Sequence, residues 1–119
     1  MGLYNFEARF VPFIEARTKK HTIRKRRKNV DRPGKTMYLY TGLRRKGARL
    51  IMKARCTHVD DITIGVDERI WIGGVLLDRR EVEQLARTDG FKNFTEMMDY
   101  WKAKKDLPFV GHIIHWSER

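Results

Sequence analysis

The spacing of apolar residues along this chain changes near Asp78. Before that point they come in short bursts: "LYNFEARF", "MYLYTG", "ARLIMKARC", "ITIGV" and "IWIGGVLL". Tyr, Ile, Val, Trp and Thr dominate, with Gly or Pro close to several ends, which predicts strands separated by turns. "RPGK", Arg32 to Lys35, reads as a turn because Pro33 fixes φ and Gly34 supplies a positive φ. One short helix interrupts the strands. In "VPFIEAR", Pro12 sits in a first helical turn, and Phe13 and Ile14 are expected to face inward. Between Asp78 and Lys105 the period lengthens. Asp78 is an N-cap with Glu81 three residues on, as in a capping box, and Val82, Leu85 and Ala86 form the apolar stripe. Asn93 or Thr95 starts a second helix, where Phe94, Met97, Met98 and Trp101 recur at helical spacing. Phe94 and Trp101 are both expected to be largely buried. "FVGHIIHW" closes the chain as a buried strand. The sum is an α+β chain, most simply a small mixed or open β-barrel with two or three short helices. No repeat, low-complexity tract or linker divides it, so residues 1–119 are read as one domain.

Composition narrows the class. Among 119 residues, 41% are hydrophobic and 34% charged, which suits a globular protein with one core. No apolar run approaches the ~20 residues that cross a bilayer. The N-terminal stretch has neither the basic start nor the apolar run of a signal peptide, nor a myristoylation signal. The single cysteine, Cys56, excludes an internal disulfide and reads as a small buried apolar residue. The expected location is the cytoplasm.

Charge changes the picture most. A formal net charge of +11 in so small a chain points to a polyanionic partner, nucleic acid ahead of an anionic membrane surface. The main basic run, Arg17 to Lys28, lacks the apolar helix face that a membrane binder needs. Within it, "TKKHTIRKRRK" carries a Thr-Ile-Arg step that begins a strand. Ile23 is expected to point into the core, with Thr22 and Arg24 sharing the opposite face. A disordered basic tail has no need of that order.

From here the sequence resembles a known family. "EARTKKHTIRKRRK...RPGKTMYLYTGLRRKGARL" is similar to the ASCH domain, a relative of the PUA-like RNA-binding β-barrels. The family's Gly-x-Lys-x-x-Thr-x-Arg segment follows a short helix and precedes a Pro-Gly turn. Lys19, Thr22 and Arg24 fall on its Lys, Thr and Arg. "LARTDGFKNFTEMMDYW" resembles the family's later acidic-Gly-Phe segment and amphipathic helix, and "FVGHIIHW" its last strand. The likeness is greatest to the small ASCH proteins of phages and prophages. It implies a PUA-like barrel that binds RNA or a modified nucleoside. In members that are N4-acetylcytidine amidohydrolases a Lys, a Thr and a Glu form the active site, which implies Lys19, Thr22 and Asp89 as the catalytic positions here. Two departures stand out: the motif's leading Gly is Arg17, and the Glu is the shorter Asp89.

The chemistry of such a site is intelligible in itself. Amide hydrolysis needs a nucleophile, a base and an acid for the leaving nitrogen. Thr22 needs a base within hydrogen-bond reach, and Lys19 can be that base if burial or the neighbouring positive charge of Lys20, Arg24, Lys25 and Arg26 lowers its pKa. Asp89 would orient the pair or protonate the leaving group. The plainer readings are that Lys19 binds phosphate, that Thr22 is an ordinary strand residue, and that Asp89 shapes a turn with Gly90. The expected cleft lies beside Lys19, Thr22 and Arg24, with Arg44 and Arg45 on its rim and Asp89 opposite. Lys20, Lys25, Arg26 and Tyr40 are further candidates for nucleic-acid contact. Tyr38 and Tyr40 share one strand face, either as stacking platforms or as barrel core. His112 and His115, three apart on a strand, face opposite ways and cannot share a metal. His21, His58 and Cys56 have no ligand spacing, and Asp67 and Glu68 read as a solvated loop. With no ligand spacing no metal is indicated, and with no nucleotide-binding glycine motif no nucleotide cofactor is indicated. The leading expectation is an RNA- or nucleoside-binding module; the alternatives are a small amidohydrolase and an accessory protein that binds another protein.

Overall fold

The computed structural model describes residues 2–28 and 31–118. Strand β1 (Gly2–Phe6) leads through a 3-10 turn (Ala8–Phe10) into α1 (Val11–Glu15). Then come β2 (His21–Lys25), β3 (Thr36–Thr41), β4 (Arg49–Ile64), β5 (Ile70–Ile72) and β6 (Val75–Leu76). Helices α2 (Arg79–Thr88) and α3 (Phe94–Ala103) precede the last strand, β7 (Phe109–Glu118).

The strands build one curled, mixed sheet. β1 runs parallel to β3, β3 is antiparallel to β4, β7 pairs the other edge of β4, and β2 pairs β7. β5 and β6 form a small hairpin on the C-terminal end of β4, turned by Gly73 and Gly74, both with positive φ as a tight hairpin requires. The outermost strands β1 and β2 meet through side chains rather than a ladder. Arg24 Nη2 donates to the Asn5 carbonyl at 2.7 Å and Arg27 Nη2 to the Leu3 carbonyl at 3.1 Å. The result is an open half-barrel with three short helices, as the apolar pattern predicts. No helix is long and apolar enough to cross a membrane among the described residues.

β7 is buried on both faces. Trp116 packs edge-on against Phe6 inside the curl, whereas Phe109, on the opposite face, packs against Trp101 of α3 with ring centroids 4.6 Å apart. Ile113 and Ile114 are therefore both fully enclosed, and the buried residues form one connected cluster. Enclosure of both faces explains why the "FVGHIIHW" segment reads as a run rather than an alternation.

Local signals hold well. Asp78 and Glu81 form the capping box, and Asn93 caps α3 by accepting from the Glu96 amide. Pro12 sits in the first turn of α1, and Lys35 N donates to the Arg32 carbonyl at 3.0 Å across the Pro-Gly turn. Met97, Met98 and Trp101 are buried, as is Cys56. Four expectations need correction, and one left open is resolved. The bursts "ARLIMKARC" and "ITIGV" belong to one strand of 16 residues, long enough to serve β3, β5 and β7 together. Phe13 is 38% exposed, because a helix of only five residues turns one narrow stripe inward, here Val11 and Ile14. Phe94 is only partly buried, at the start of α3. Ile23 does pack against the core but is only partly buried, so that Thr22 on the opposite face is the more enclosed of the two. Met37 and Leu39 supply the core face of β3, leaving Tyr38 and Tyr40 half-exposed on the other.

Candidate functional site

Two helix ends build the site. At the end of α1 the chain reverses in a Schellman turn: Thr18 N donates to the Phe13 carbonyl at 3.0 Å and Arg17 N to that of Ile14 at 3.1 Å. Arg17 occupies the left-handed position with φ 63°, where glycine is the usual residue. At the end of α2 the same motif recurs, with Phe91 N donating to the Ala86 carbonyl at 2.9 Å and Gly90 N to that of Arg87 at 3.2 Å. Gly90 has φ 101°, and a Cβ there would stand 3.0 Å from Phe10 and 3.3 Å from the Lys19 side chain. The two ends are stitched together because Lys20 N donates to the Thr88 carbonyl at 2.9 Å.

This stitch sets Lys19 on the C-terminus of α2. Its Nζ donates to the Asp89 carbonyl at 2.5 Å and to Asp89 Oδ1 at 3.0 Å. A cation here satisfies a free helix-end carbonyl and the negative end of the helix dipole. Lys19 is 3% exposed and Asp89 5%, while Lys20 is exposed, so Lys19 is the inward lysine. Burial presses the Lys19 ammonium below its ordinary pKa, with the Asp89 charge opposing. Burial alone would raise Asp89, but the Lys19 charge and His21 outweigh it and hold the carboxyl below its usual range.

His21 is a site residue that sequence reasoning missed. Its Nδ1 lies 3.0 Å from Asp89 Oδ1, and its Nε2 pairs with Thr88 Oγ1 at 2.8 Å. The only sequence-level signal was its place two residues after Lys19, at the start of the strand. The adjacent "TD" of "RTDGF" supplies both its partners from the far end of α2, which no local pattern reveals.

Thr22 and Arg24 lie on the inner face. Arg24 Nε donates to Thr22 Oγ1 at 3.0 Å, and the guanidinium sits 4.8 Å over the Phe6 ring and 5.4 Å over that of Tyr4. Lys19, Thr22, Arg24 and Asp89 all line one cavity of about 250 Å³. Phe6, Phe10, Phe91, Tyr100 and Trp101 supply its apolar walls, and Lys104 and Glu7 also line it. Trp101 Nε1 is buried without a partner among the described residues, a donor left over in the wall of the cavity. Tyr100 donates its hydroxyl to Glu7 at 3.0 Å, and burial, reinforced by Glu7, raises its pKa.

Compared with family models, curated proteins and solved structures, the chain has no significant match.

The remaining predicted residues fall outside this cavity. Lys20 borders a second opening with Arg17, Met52, Trp116 and Glu118, and Lys19 lies between the two. Lys25 and Arg26 are exposed and face Asp106 at 4.0 Å and Asp61 at 3.2 Å. Arg44 and Arg45 are exposed on the β3–β4 loop, which Asn5 of the cavity wall anchors by accepting from Leu43 N at 2.9 Å. Tyr40 borders neither cavity. Thr22 and Lys19 share a wall, but the hydrogen bonds each makes go to Arg24 and to Asp89.

Sheet register assembles a second group of polar residues. His21 of β2 and His58 of β4 both stand opposite His115 of β7. His58 and His115 stack with centroids 3.8 Å apart, and His21 meets His115 edge-on at 5.3 Å. His112 faces the other way, to Asp61 at 3.4 Å, as the three-residue spacing predicts.

Proposed function

We propose that this protein is an ASCH-type module that binds a nucleobase of RNA, or a modified nucleoside, in the cavity between β1, β2 and the α2–α3 turn. The observation that carries the reading is convergence: Lys19, Thr22, Arg24 and Asp89, the positions of the ASCH-like motif, border one aromatic-walled cavity in a chain of net charge +11. A flat heteroaromatic ring suits such walls, since every base has a π-face to stack, and Arg24 and Lys104 offer charge to a phosphate or base oxygen. The volume falls just under the ~300–1,000 Å³ typical of small-molecule sites, which favours one base over a longer stretch. The positive-φ Arg17 supports the family reading as well, because it stands where the ASCH motif has Gly.

RNA binding measured against salt tests this. The log–log slope should fall by roughly 0.7–0.9 for each phosphate contact removed, in Arg24→Gln and Lys104→Ala separately. Tyr100→Ala should cost about 1–3 kcal/mol of binding through lost stacking. Equal affinity for RNA and for a base-free polyanion would overturn the nucleobase reading.

One observation favours a second reading, hydrolysis of an acylated cytidine: Lys19, Thr22 and Asp89 border the same cavity. If the site is catalytic, the purified protein deacetylates N4-acetylcytidine. Thr22→Ala and Lys19→Ala then each abolish turnover, since a nucleophile and its base act as one unit. Lys19→Arg does not rescue, because arginine stays protonated. Asp89→Glu, which restores the family's longer carboxylate, raises the rate. Wild-type protein inert towards every acylated cytidine would eliminate this reading.

A further inference from the structure

We propose that His58, Asp60 and His115 form a binding site for a borderline transition-metal dication such as zinc, on the sheet face opposite the curl's interior. The ligating atoms of the three side chains all lie within 4.8 Å of one another. Donors at ~2.0–2.1 Å from a tetrahedral ion stand roughly 3.3 Å apart, so the cluster must close by no more than about 1.5 Å. His58 is exposed and the other two are intermediate, so rotamer adjustment can supply that movement.

Three features say that the arrangement is more than a chance cluster. First, a β-bulge makes it. Cys56 pairs Trp116 but His58 pairs His115, so Thr57 is the extra residue that turns His58 to the face it shares with His115. Bulges re-aim side chains in this way, and an unbulged strand would present Thr57 instead. Second, one nitrogen of His58 is held and the other turned towards Asp60, although the parallel stack with His115 means that the exposed His58 ring must swing for both imidazoles to reach one ion. Thr57 Oγ1 lies 3.1 Å from His58 Nδ1, while His58 Nε2 points towards Asp60 Oδ2 at 3.9 Å. A hydroxyl partner on one ring nitrogen, with the other turned to a shared point, is how metal-binding histidines are held. Third, neither ring nitrogen of His115 has a hydrogen-bond partner among the described residues, although its ring is clamped between His58 and His21. His21 is not counted as a ligand: its ring is buried, with Thr88 Oγ1 on its Nε2 and Asp89 Oδ1 3.0 Å from its Nδ1.

Two imidazoles and one carboxylate suit zinc, cobalt, nickel or copper and disfavour magnesium and calcium, which take all-oxygen sets. With three protein ligands, the ion keeps at least one position for water or an incoming donor.

The test uses the full chain, stripped with a chelator and titrated calorimetrically with zinc chloride alone, so that it does not depend on RNA. One zinc per chain is expected, with magnesium giving no heat. His58→Ala, at an exposed position, and His115→Ala should each weaken zinc at least tenfold, and Thr57→Val by on the order of tenfold through the lost ring contact. His112→Ala, facing the other side of β7, should bind as wild type. Cobalt(II) should give strong visible absorption in the wild type and His112→Ala but not in His58→Ala. Zinc should raise the unfolding midpoint of wild type and not of His58→Ala. Absence of zinc binding, or binding unchanged by both His58→Ala and His115→Ala, overturns the proposal.

Discussion

Replacing Asp89 by asparagine removes one charge from a deeply enclosed polar contact and almost nothing else. The partners, Lys19 and Asp89, are 3% and 5% exposed, with Nζ and Oδ1 3.0 Å apart. At that distance the gross attraction is roughly 5–6 kcal/mol for an effective dielectric of about 20, most of which offsets the cost of desolvating both groups. The loss on breaking the pair is therefore set by what the remaining charge does. The side-chain amide oxygen of the Asp89→Asn variant would still accept from Lys19, but the ammonium would be left buried without a counter-charge. Breaking one partner of such a pair costs about 3–5 kcal/mol, and the retained hydrogen bond places this variant near ~3 kcal/mol. Against a total stability of about 5–15 kcal/mol this is a large fraction. Urea unfolding of wild type and variant, with unchanged m, measures it. Lys19→Met should cost less, about 1–2 kcal/mol, because His21 stays 3.0 Å from the carboxylate and leaves it a polar neighbour. The double variant should then show a coupling of at least about 1 kcal/mol. The acid limb provides an independent check. Asp89 is held below its unfolded value of about 3.9, so its contribution is complete above that pH and fades as pH falls through the lower folded value. Wild type should lose stability more steeply there than Asp89→Asn. A cost under ~1 kcal/mol, or additive single variants, would refute the reasoning.

Gly90→Ala should destabilise the fold by more than ~1 kcal/mol in the same assay, since φ 101° strains any Cβ and the new methyl meets Phe10 and Lys19. Arg17→Gly should raise stability by up to about 1 kcal/mol: it relieves φ 63° at the cost of the exposed ion pair with Glu118, worth little. Cys56, fully buried and with its thiol raised by burial and Asp31, should react with a thiol reagent only as fast as the protein unfolds, and rapid labelling of the native state would contradict the packing.

Helix caps, turns and stripes were legible because their partners lie within a few residues. Asp78 and Glu81, Asn93, Pro12, the Pro-Gly turn and the Met97, Met98 and Trp101 face all follow from local hydrogen bonding and period. The motif resemblance likewise singled out Lys19, and Asp89 with Gly90 was readable as a turn. What lay beyond local reading depends on pairings between distant segments. Lys19 and Asp89 are 70 residues apart, and their contact exists only because two Schellman turns are stitched together by one backbone bond to Thr88. Which face of β3 is core was decided by its neighbours β1 and β4, since Met37/Leu39 and Tyr38/Tyr40 are both apolar enough to serve. The histidine row is the extreme case. A register shifted by one residue would turn a strand's side chains to its other face, and the single bulge at Thr57 is what sets His58 beside His115. Sequence carried the chemistry of each element; only the sheet's long-range register decided which side chains meet.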